Sequence, residues 1–179
     1  MQKKVNGINI EFVGDQNIYI TQGTVNKLLI QNYGSLNNVP KEKLVLNTME
    51  EVIEANEMVK RAQVYLTVNG ELTSKIIQRK PIGRIEGSSK FYLDDEGKRM
   101  PLSRSHSARV PIITGKITGK GLEDVYEILK FINEDSFLRK NVIGIHIAED
   151  ENYQLKFRME HFVVNLGGIN NLESKFKKF

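Results

Sequence analysis

Residues 64–68 (Val-Tyr-Leu-Thr-Val) alternate between two faces, and so do residues 72–78, the period of a strand. Asn69-Gly70 between them tolerates positive φ, which predicts a hairpin closed by a type I′ turn. Leu72, Ser74, Ile76 and Gln78 share one face of the returning strand; Thr73, Lys75, Ile77 and Arg79 share the other. Upstream, Ile8, Ile10 and Phe12 alternate as a first strand ended by Gly14-Asp15. Val25, Leu28 and Leu29 form a helical face that Asn32-Tyr33-Gly34 stops. Thr48 with Glu51 three residues on reads as a capping box, with Met49, Val52, Ile53 and Val59 as the stripe behind it. The order is strand, helix, helix, strand, strand. It predicts two helices on one face of a small three-stranded sheet over residues 1–80.

Residues 81–179 are richer in strand periodicity. Residues 91–93 and 98–102 flank the turn Asp95-Glu96-Gly97 and predict a hairpin. A strand is expected at 110–113. A long amphipathic helix follows over 121–134, where Leu122, Val125, Tyr126, Leu129 and Ile132 recur at helical spacing. Residues 142–147 predict another strand. Tyr153, Leu155, Phe157 and Met159 alternate along the next, and 162–166 return from it before Gly167-Gly168. Leu172, Phe176 and Phe179 lie at i, i+4 and i+7 without a stop signal. The expectation is therefore a last helix cut short, so that the domain is truncated there. The fold class is α+β: a βααββ unit, then a mixed β-sheet domain with one long helix.

Composition narrows the function. At 179 residues, 40% hydrophobic and 27% charged, the chain suits one large or two small globular domains. Zero cysteines exclude disulfides and thiolate metal sites. No apolar run approaches the roughly 20 residues that span a bilayer, and Met1-Gln2-Lys3-Lys4 leads into no signal-like core. Net charge is only +4, but residues 75–120 hold eleven Lys or Arg against four acids. That bias suits either a solvated strand face that resists edge pairing or an acidic partner. Only Phe91 and Tyr92 are interleaved there, so no stacking platform for nucleic acid is visible.

No catalytic pattern emerges. Gly115-Lys116-Ile117-Thr118-Gly119-Lys120-Gly121 has three residues between its first two glycines and Gly after the second lysine. A phosphate loop needs four, then Ser or Thr after its lysine to hold magnesium. Asp94-Asp95-Glu96-Gly97 lacks the alternating ligands and distal glutamate of a calcium loop. His106, His146 and His161 lie on separate elements without ligand spacing. Ser103, Ser105 and Ser107 flank His106 without an orienting acid. The expectation is no enzyme, no catalytic residue, no cofactor and no metal site.

Four motifs in order carry a family resemblance: Gln78-Arg79-Lys80-Pro81-Ile82-Gly83, Tyr92-Leu93-Asp94-Asp95-Glu96-Gly97, Val110-Pro111-Ile112-Ile113-Thr114-Gly115 and Val164-Asn165-Leu166-Gly167. With them the chain resembles the extracytoplasmic part of the FtsQ/DivIB cell-division family. The first unit (1–80) is similar to its POTRA domain and the second (81–179) to its β-domain. Gln78 and Gly83 depart from the family's usual acid and alanine.

The resemblance implies a non-catalytic divisome scaffold linking early and late division proteins. It implies the periplasmic part of a single-pass inner-membrane protein, with an anchoring N-terminal helix absent from this chain. The implied partners are FtsB and FtsL, held by strand addition, and no nucleic acid. Partner-binding candidates are Tyr153, Leu155, Phe157, Met159, Phe162 and Val164. Alternation reports burial rather than contact, so the Tyr153 strand is either part of such a site, its support, or an ordinary core strand. The alternative reading is a POTRA-bearing outer-membrane assembly or transport component that receives polypeptide chains.

Overall fold

The computed structural model describes residues 3–14, 18–159 and 162–178; Met1, Asp15, His161 and Phe179 lie outside them. The chain divides into two compact units, Met1–Arg79 and Lys80–Phe179.

The first unit runs β1 (Gly7–Phe12), α1 (Gln22–Tyr33), a short 3-10 turn (Lys41–Lys43), α2 (Leu46–Glu54), β2 (Val59–Leu66) and β3 (Glu71–Gln78). Its sheet has the order β1-β3-β2, with β1 parallel and β2 antiparallel to the central β3. Val25 and Leu29 of α1, Met49 and Ile53 of α2, and Leu72 and Ile76 of β3 build its core. This is the βααββ arrangement that the strand and helix periods predict. The Thr21 hydroxyl accepts from Thr24 N–H at 3.1 Å to start α1. Gly34 ends it at φ +70 with its N–H on the Ile30 carbonyl.

Three local expectations are corrected here. The hairpin turn is not type I′: Gly70 adopts φ +86, but Asn69 is not among the positive-φ residues. Gly70 N–H bonds the Thr67 carbonyl and Thr67 N–H the Glu71 carbonyl, the three-residue loop in which a single glycine takes the left-handed position. Helix α2 starts at Leu46 behind Val45, which offers no side-chain cap; Thr48 is inside the helix and forms no capping box. Val59 opens β2 instead of extending the stripe, because the helix ends at Glu54 and a turn at Asn56 intervenes.

The second unit contains β4 (Pro81–Glu86), β5 (Lys90–Asp94), β6 (Arg99–Met100), β7 (Ile112–Gly115), α3 (Gly119–Glu134), α4 (Ser136–Asn141), β8 (Val142–Ile147), β9 (Tyr153–Phe157), β10 (Val163–Gly167) and α5 (Leu172–Phe176). The seven strands form one mixed sheet, β10-β9-β8-β7-β4-β5-β6. Strand β7 is parallel to both β4 and β8, and the remaining pairs are antiparallel. Val125, Ile128, Leu129 and Ile132 of α3 pack on Ile85, Ile113, Ile145 and Leu155. At Gly83 an added Cβ would come within 2.4 Å of Leu129 Cδ1, so the helix sits tightly against β4.

Sequence periodicity alone does not single out β4 or α4. Strand β4 is buried at Pro81, Ile82, Gly83 and Ile85 and so lacks the alternation of a half-exposed strand. Helix α4 has six residues, too few for a helical stripe. The expected strands at 98–102 and 110–113 are realised as β6 and β7, the first shortened to two residues. The long helix starts earlier than Gly121, because Thr118 is its cap and accepts from Gly121 N–H at 3.0 Å. The β5–β6 turn is organised by the buried Asp94, whose Oδ1 accepts from Glu96 N–H and Lys98 N–H.

Candidate partner-binding edge

A sheet offers a partner its free edges, where N–H and C=O groups have no neighbour. In the larger sheet these edges are β10 and β6. The β10 end is built by β8, β9 and β10. Val142 pairs with Phe157, Ile145 with Leu155 and Ile147 with Tyr153, so alternate residues of β9 point to the α3 side. Tyr153, Leu155 and Phe157 are accordingly buried in the core. The Tyr153 hydroxyl donates to Asp124 Oδ2 at 2.8 Å. Burial and this bond push the phenol well above its usual range.

Of the six candidate residues, these three sit inside and hold the edge from behind. Strand β9 has β8 on one side and β10 on the other, so it has no open edge of its own. Val164 is half-buried opposite Leu155. The remaining two are at the surface, and the structure gathers them with a third. Phe162, Val163 and Met159 are 45%, 52% and 61% exposed, and the Phe162 ring stacks on Phe157 at 5.0 Å.

The register shows which main-chain groups are open. Phe157 N–H bonds the Phe162 carbonyl at 3.4 Å. Antiparallel pairs alternate between bonded and non-bonded positions, so Val163, opposite Lys156, and Asn165, opposite Gln154, turn their N–H and C=O away from β9. No strand pairs with that side of β10 among the described residues. Val163 and Asn165 are the residues that sequence reasoning misses. Their signal is the exposed phase of the alternation in which Val164 and Leu166 are the inward phase.

The other sequence candidates are not brought together. His106 is exposed in the loop after β6, and His146 Nδ1 lies 3.0 Å from Thr114 Oγ1 on the sheet face. Among the described residues no three His, Asp or Glu side chains converge on a metal position. The loop from Gly115 to Gly121 turns the chain into α3 through the Thr118 cap. Among the described residues no helix is long and apolar enough to cross a membrane.

Comparison with known proteins bears on both units. Residues 80–179 match the family model described as FtsQ/DivIB, C-terminal related, and residues 3–77 match a POTRA-like domain. No individually curated protein matches the chain. Among solved structures, a similar one is the major extracytoplasmic domain of the trans isomer of the bacterial cell division protein DivIB from Geobacillus stearothermophilus. It is 12% identical, with a TM-score of 0.44, over 56% of this chain and 87% of that one. The first family model alone spans more than half of the sequence, and a POTRA-like domain precedes it: the chain belongs to the FtsQ/DivIB-related family of cell-division proteins.

Proposed function

We propose that this chain is the extracytoplasmic part of a division scaffold that receives a strand from the FtsB–FtsL pair along β10. The observation that carries this reading is the open side of β10 beside exposed Phe162, Val163 and Met159. A partner strand satisfies the outward groups of Val163 and Asn165, and the three apolar side chains give it something to cover. Strand β9 supports the site; its candidate side chains brace the edge against α3 and do not touch the partner. The reaction is association, and chemistry on a substrate plays no part in it.

The test is Val163→Pro. It deletes an N–H that makes no bond to β9, and proline is tolerated at such an edge position. Capture of purified FtsB–FtsL should fall by about tenfold or more, while the thermal unfolding midpoint stays near that of the parent. Undiminished capture by a folded Val163→Pro protein refutes the β10 assignment.

A further inference from the structure

Strand β2 is an outer strand of the first unit's sheet, and its edge is not bare. Glu50 Oε1 accepts from Val64 N–H at 2.8 Å, and Glu54 Oε1 accepts from Ala62 N–H at 2.8 Å. Both glutamates come from α2, and both amides are outward-facing donors of β2. The spacing matches: four helical residues rise about 6 Å, and two strand residues rise about 6.6 Å. Two carboxylates at i and i+4 therefore fall in step with two amides at i and i+2, much as the carbonyls of a neighbouring strand would.

We infer that Glu50 and Glu54 form a latch that closes the β2 edge to strand addition, by a partner or by a second copy of this chain. Glu51, between them in sequence, acts instead on the Tyr33 hydroxyl, so the pairing belongs to the helix face that carries Glu50 and Glu54 towards β2. Bonds from amide donors to a carboxylate are among the stronger hydrogen bonds, and an incoming strand must displace two of them before it gains any of its own. The latch keeps strand pairing off this edge of the POTRA-like unit, so the first unit resists edge-to-edge self-association.

The experiment needs no division partner, so its outcome is independent of the β10 assignment. The probe is a synthetic peptide copying β3, Glu71–Gln78, the segment that already pairs with β2 from its inner side. Amide hydrogen exchange and peptide titration are followed by NMR in the parent chain, in Glu50→Ala/Glu54→Ala and in Glu50→Gln/Glu54→Gln. In the alanine pair, exchange at Ala62 and Val64 should rise about tenfold or more, and the peptide should shift the β2 amides. In the parent and in the glutamine pair, whose side-chain carbonyls still accept, both amides should stay slow and the peptide should leave β2 unshifted. Alanine is the best helix former, so α2 tolerates the change. Each single alanine variant opens one amide and serves if the double one fails to fold. Slow exchange in the alanine variants overturns the latch. So does a peptide that pairs equally with parent and variant, or with neither.

Discussion

The hydroxyl of Tyr153 reaches across from β9 to the carboxylate of Asp124 on α3, a 2.8 Å bond that ties the strand behind the open edge to the long helix. The phenol is held protonated by burial first and by this acceptor second. Because the folded-state pKa is raised, the folded protein keeps a proton that the unfolded chain releases near pH 10. Stability should therefore fall as pH rises above that point, and Tyr153→Phe should flatten the alkaline limb of a denaturant titration. At neutral pH the same substitution should cost about 1–2 kcal/mol.

Glu86 titrates the other way. The hydrogen bond from Lys90 and the adjacent Arg84, at 3.1 and 2.6 Å, hold its carboxyl below the ordinary value. A lowered folded pKa gives stability that is present above the unfolded value and is lost as acid protonates the folded group. The side chain is partly solvated, so the effect is small. Carboxyl NMR titration should place Glu86 below a typical exposed glutamate, and Lys90→Ala should move it upward.

Gly115 ends β7 at φ +98, where an added Cβ would stand 2.0 Å from the Ile147 carbonyl oxygen. Backbone cannot yield as a side chain can. Gly115→Ala should lower stability by at least about 2 kcal/mol, read as a shift in chemical denaturation. Gly119, with nothing among the described residues within 4 Å of its Cβ position, should accept alanine at little cost.

Ser74 is fully buried on β3, and its Oγ has no hydrogen-bond partner among the described residues. An unsatisfied buried hydroxyl opposes folding. Ser74→Ala should leave the chain as stable or raise stability by up to about 1 kcal/mol, measured by urea unfolding. Leu155→Ala, which empties a fully buried site behind the β10 edge, should instead cost about 2–5 kcal/mol.

Legible in the residues alone are the elements whose two faces meet different surroundings. Helix α3 and strands β8 and β9 each place one face against a core and one towards solvent, so their periods are written in Val125, Leu129 and Ile132, in Ile145 and Ile147, and in Tyr153, Leu155 and Phe157. The ordered motifs at Pro81, Asp94, Pro111 and Leu166 also made the family legible, since turn and close-packing constraints act on short segments. Strand β4 has no such contrast: it is buried along most of its length between β5 and β7, and its place is visible only once its neighbours are. The turn at Asn69-Gly70 and the start of α2 were settled by the register of β2 on β3 and by the fit of α2 against β2, which overrode local preference. The same holds for the two edges. Alternation shows that Tyr153, Leu155 and Phe157 share a face. Only the pairing of β9 with both β8 and β10 makes them internal and leaves Val163 and Asn165 outward. Only the fit of α2 beside β2 brings Glu50 and Glu54 to the amides of Val64 and Ala62. Sequence period fixes which way a side chain points; which main-chain groups remain unpaired depends on partners distant in the chain, and that is decided by the tertiary structure.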